Sequence, residues 1–138
     1  MRAARVPTGI RALAAFFLFG AAMAALAGLG LLLPGGALEP MWRLNPRSRE
    51  SLVSLGVAGV ALMLLVSAAC GAAAWGLGAL SPWGRRLALG ILAVSALGDA
   101  ANALFRHDLR TLLGLPVAGL MIAYLLHPRV GAQFRAGR

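Results

Sequence analysis

The chain has 138 residues, of which 60% are apolar and 12% charged. A soluble domain carries about 25% charged residues, so there are too few charges here to cover a water-facing surface, and most of the surface must meet lipid. The net charge of +9 comes from thirteen Arg and no Lys against two Glu and two Asp. These arginines flank apolar runs instead of forming a patch on a soluble domain, which argues against a nucleic-acid partner and for contact with lipid phosphates. The single cysteine, Cys70, rules out an internal disulfide and a Cys-pair redox enzyme, and reads as a small packing residue.

The first apolar run, Ala12 to Leu33, carries no charge. It is long enough to cross a bilayer core as helix, which takes about 20 residues. Arg2, Arg5 and Arg11 precede it, and Pro34-Gly35-Gly36 stops it. It is longer than the apolar core of a secretory signal, about 7–15 residues, so a retained anchor is expected.

Pro34 to Glu50 forms the longest connection and carries three prolines, three arginines and two glutamates. Met41 and Trp42 are expected at the membrane interface, where Trp is favoured. Ser48 is a plausible N-cap for the next helix.

The second run, Leu52 to Leu80, is uncharged throughout and the longest of the four. It exceeds the core thickness and predicts a tilted or protruding helix ending near Trp75–Gly78. Ser81-Pro82-Trp83-Gly84 reads as a tight turn before Arg85-Arg86.

The third run, Leu87 to Phe105, holds one charge, Asp99. The short connection from Arg106 to Arg110 predicts an antiparallel hairpin with the fourth run, Thr111 to Leu126. That run is the shortest of the four and the weakest span. Pro116 is a candidate kink, and an interfacial or re-entrant segment is the rival reading. His127-Pro128 ends it, leaving a polar tail.

The expected fold class is all-α: an integral membrane bundle of four transmembrane helices, at about 10–33, 51–78, 86–106 and 110–127. These form one domain, 1–138, with an extramembrane loop at 34–50. Four spans put both termini beside the Pro82–Arg86 turn, a side with eight arginines against five on the other. Both termini are therefore expected in the cytoplasm, across a bacterial inner membrane.

Ionisable groups inside a membrane are costly, about 2.5–3.5 kcal/mol on insertion scales. Asp99 is the only one within a span. Ser95, Asp99, Asn102 and Arg106 are spaced by four, three and four residues, which places them on one helical face. That polar stripe is expected to face another helix or a water-filled crevice. At its depth Gly28, Gly30, Gly56 and Gly59 are candidates for opening space where Asp99 and Asn102 bond to neighbours. Helix–helix glue is the plain reading of the stripe, and a proton- or ligand-handling site the sharp one.

The other features are weaker. His107 and His127 fall at opposite membrane faces and do not form a joint haem or metal site. Gly28-Leu29-Gly30 and Gly76-Leu77-Gly78 lack a phosphate-loop context and read as packing or helix-end glycines. Ala24–Gly28 and Ser67–Gly71 fit small-xxx-small contacts. No catalytic, metal or cofactor site is expected, and Asp99 and Asp108 fall on opposite helical faces.

The second half carries a further pattern: Gly76-Leu77-Gly78, Trp83, Asp99, Asn102, Asp108, Tyr124-Leu125-Leu126, Pro128-Arg129-Val130 and Phe134. It resembles a family of small uncharacterised multi-pass membrane proteins of bacteria and archaea. The resemblance covers a little under half of the chain and implies the four-helix topology but no activity. Gly131 departs from it, since Arg is expected there, and this implies a weaker cytoplasmic lipid contact.

The functional expectation is a non-enzymatic structural or accessory subunit of a membrane complex. Its partners would be the lipid bilayer and other membrane subunits or a second copy. The alternative is a small oligomeric transporter or channel using Asp99.

Overall fold

A computed structural model of the chain describes residues 5–107 and 111–136. Arg2, Asp108, Arg110 and Arg138 lie outside them, as does the centre of the Arg106–Arg110 connection. The described residues form α-helices and one 3-10 turn, with no strand: α1 Thr8–Leu32, α2 Glu39–Trp42, α3 Pro46–Ser54, α4 Val57–Gly78, α5 Pro82–Arg106, the 3-10 turn Thr111–Leu113, α6 Gly114–Leu126 and α7 Pro128–Ala136. Three of these, α1, α4 and α5, are long and apolar enough to cross a membrane. A fourth segment qualifies only if α6 and α7, which bend by 56° at His127-Pro128, count together.

The long helices are apolar on faces that nothing in the chain covers. Phe19 is 65% exposed, Leu65 67% and Val94 72%. Isolated apolar side chains on a surface are ordinary, but continuous apolar helix faces are not. They suit hydrocarbon, where a helix also satisfies its own backbone amides.

Packing groups the chain into two compact units, Phe16–Gly71 and Met1–Ala15 with Ala72–Arg138.

In the unit Phe16–Gly71, α1 buries Phe17, Ala21, Ala24 and Gly28 at spacings of three and four, one stripe of a 3.6-residue helix. Gly28 meets Met63 and Leu64 of α4. The Ser67 hydroxyl donates to the Ala21 carbonyl at 2.8 Å. Cys70 is buried among these side chains as a packing residue.

About half of the segment 34–50 is helical, as α2 and the start of α3. Glu39 ties it together: one carboxylate oxygen accepts from the Gly35 N–H at 3.3 Å and from Arg49 Nη2 at 3.1 Å, and the other pairs with Arg49 Nη1 at 2.9 Å. Trp42 is buried against Gly30, near the end of α1.

α3 is capped by Asn45, whose side chain accepts from the Ser48 N–H at 3.2 Å, with Pro46 as its first residue. Ser48 is therefore not the cap. Asn followed by Pro is the cap-plus-N1 pattern that a proline-led helix start uses.

The overlong apolar run from Leu52 to Leu80 relieves its excess length by breaking. α3 ends at Ser54, Gly56 takes a left-handed φ of +58°, and α4 begins at Val57. α4 alone has 22 residues, about 33 Å of helix, which fits a bilayer core.

In the other unit, α4 ends in a Schellman arrangement. The Ser81 N–H donates to the Gly76 carbonyl at 2.8 Å and the Leu80 N–H to the Leu77 carbonyl at 3.1 Å, with Leu80 left-handed at φ +52°. α5 starts at Pro82, not at 86, because proline suits the first helical position and needs no N–H partner. The fourth segment is a 3-10 turn followed by the 13-residue α6, about 20 Å long. The polar tail includes helix α7, which buries Val130, Gly131 and Phe134.

Candidate functional site

α5 carries the polar stripe. Its packed side begins with Gly84, Ala88 and Leu92 and continues through half-buried Ala96, Asp99 and Ala103. Of the four stripe residues, only Asp99 is partly covered; Ser95, Asn102 and Arg106 are exposed. The stripe shares one helical face, as its spacing requires, but that face is split between a neighbour and the outside.

The neighbour of Asp99 is the start of α6. A Cβ built on Gly114, the first residue of α6, would lie 2.6 Å from Asp99 Oδ2. The carboxylate thus sits over the positive end of the α6 dipole, a favourable place for an anion. The glycines named with the stripe have these neighbours within their own unit. Gly30 accommodates the Trp42 indole, Gly59 the Leu52 carbonyl, Gly28 Met63 and Leu64, and Gly56 the break before α4.

A second cluster lies where α5 begins and α7 packs. Arg85 Nε donates to the Leu125 carbonyl at 2.8 Å, filling an acceptor that the C-terminal end of α6 leaves without a helical partner. Its guanidinium rests on Gly131, where a Cβ would come 3.2 Å from Nη2. Position 131, where the family resemblance leads one to expect Arg, is thus the floor under Arg85. His127 makes the bend: extended at φ −58° and ψ 132° before Pro128, it accepts the Arg129 N–H on Nδ1 at 3.3 Å.

Pro82, Arg85, Arg86, Gly131, Phe134 and Arg135 line a cavity of about 580 Å³. The sequence reading missed it. The available signal was Pro128 at a helix start followed by Val130 and Phe134 four residues apart, the mark of a short helix with one packed face.

Among the described residues, no three His, Cys, Asp or Glu side chains come together to hold a metal ion. His107 caps the end of α5 in a left-handed conformation, φ +50°. Trp75 and Trp83 are exposed at the α4–α5 corner, and the Tyr124 hydroxyl abuts Gly9.

No family model, characterised protein or solved structure compared with the chain matches it.

Proposed function

We propose that the chain is a four-span protein of a bacterial inner membrane, with both termini cytoplasmic, acting as a non-enzymatic accessory subunit that docks on another membrane protein or on a second copy. The 3-10 turn with α6 is the fourth span, α7 lies beyond its end with Arg129 and Arg135, and the eight-to-five split of arginines supports the orientation.

The observation that carries this reading is the outward exposure of Ser95 and Asn102 within the membrane-length helix α5. Polar side chains in a span gain little from lipid and are ordinarily satisfied by hydrogen bonds across helices. Leu97, on the opposite face of α5 and 71% exposed, suits hydrocarbon.

Photo-crosslinking in native membranes tests it. A probe at position 102 or 95 is expected to capture one defined membrane protein or a second copy, and a probe at 97 only lipid. Lipid alone at all three positions would sink the docking reading.

A second reading is favoured by the half-buried Asp99 carboxylate over Gly114. An oligomer could use it as a proton-coupled group. Proton flux into liposomes that is lost in Asp99→Asn, with assembly retained, would support transport; unchanged flux would remove it.

A further inference from the structure

Arg85 and Arg86 sit at the positive end of the 25-residue α5, and no acidic residue occupies its first turn. Cations are disfavoured there by the helix dipole. Ser81, the N-cap, makes no side-chain bond to the helix start, so the first-turn N–H groups lack that partner too. Arg135, from the last turn of α7, adds a third positive charge to the same cavity. Three guanidinium-bearing side chains thus line one cavity. Their convergence at a helix N-terminus is unfavourable unless an anion lies between them.

The cavity is built to receive one. Arg85 is held through Nε by the Leu125 carbonyl, which orients its guanidinium, and among the described residues no acceptor is bonded to its Nη1 or Nη2. Gly131 supplies the room that the guanidinium occupies. Phe134 and Pro82 give the wall an apolar part beside the arginines. The volume of about 580 Å³ falls in the range of small-molecule sites. Exposed Trp75 and Trp83 flank the same α4–α5 corner, the level at which Trp marks the headgroup region of a bilayer.

We infer that the cavity between the N-terminus of α5 and α7 is a binding site for a phosphate group, held by Arg85, Arg86 and Arg135. The phosphate belongs to an anionic phospholipid headgroup or to a free phosphate; the recognition chemistry is the same, paired N–H donors on phosphate oxygens.

The full chain in nanodiscs tests this. Binding is read by native mass spectrometry with phosphatidylglycerol in a phosphatidylcholine background, and separately with inorganic phosphate. Arg86→Gln/Arg135→Gln removes two exposed arginines and leaves the Arg85–Leu125 bond in place. Arg43→Gln/Arg47→Gln removes two exposed arginines from outside the cavity. The unaltered protein is expected to bind phosphatidylglycerol, inorganic phosphate or both; which of them binds identifies the source. The cavity variant is expected to bind about thirtyfold more weakly, at about 1 kcal/mol per arginine, and the control within twofold of the unaltered protein. Binding of neither ligand, or equal losses in the two variants, would overturn the site.

Discussion

Gly76 of α4 and Gly84 of α5 stand backbone to backbone. A Cβ on Gly76 would come 2.5 Å from Gly84 Cα, and one on Gly84 would overlap the backbone of Gly76. The Gly76 carbonyl also accepts the Ser81 N–H that closes the turn. One residue pair thus joins helix packing to chain reversal, and it sets where the Arg85 cavity opens.

Gly84→Ala is expected to destabilise the chain by about 1–3 kcal/mol, the usual cost of overpacking where backbone cannot move aside. Gly90→Ala on the same helix meets nothing within 4 Å and should leave stability unchanged. Thermal unfolding of both variants in one detergent is the check. Equal midpoints would show that the corner tolerates a methyl group.

Gly56→Ala isolates backbone strain. A Cβ at this position meets nothing within 4 Å, yet φ is +58°. The expected loss is about 1–2 kcal/mol, and Gly56→Asn should lose less because Asn tolerates the left-handed region. Chemical unfolding of the two variants side by side would refute this if Asn proved the worse.

The Glu39–Arg49 pair holds the α2–α3 segment, with side chains 30% and 36% exposed. Glu39→Gln is expected to cost about 0.2–1 kcal/mol, since water screens a pair this open. Hydrogen exchange should quicken in α2 and little elsewhere. Added salt should shrink the difference between the two proteins; a salt-independent difference would mean the charge is not what matters.

Ser67→Ala deletes the hydroxyl that bonds the Ala21 carbonyl between α1 and α4. The average for such bonds between membrane helices is about 0.6 kcal/mol, so a small loss in a steric-trap or detergent-unfolding measurement is expected. A loss several times larger would point to a packing role for Ser67 beyond the single bond.

The all-helical character and the positions of the apolar segments were legible from hydropathy alone. Uncharged apolar runs of about 20 residues suit helices, which satisfy their own amides within hydrocarbon. The end of α4 near Gly78 was readable from the glycines that follow Trp75. The start of α5 at Pro82 and of α3 after Asn45 were equally written in the residues, as proline at the first helical position, though a tight turn and a serine cap were the more obvious readings.

The shared face of Ser95, Asp99, Asn102 and Arg106 follows from helical period and nothing else. Period does not say what a face meets. Only packing put Asp99 over Gly114 and left Ser95 and Asn102 outside, because that depends on where α6 begins. Likewise, no local signal links Arg85 to the Leu125 carbonyl forty residues away, Glu39 to Arg49, or Gly76 to Gly84. Segment identity is a local balance of hydration against backbone bonding, so composition decides it. Contacts between segments depend on the turns and bends that bring them together, and those exist only in three dimensions.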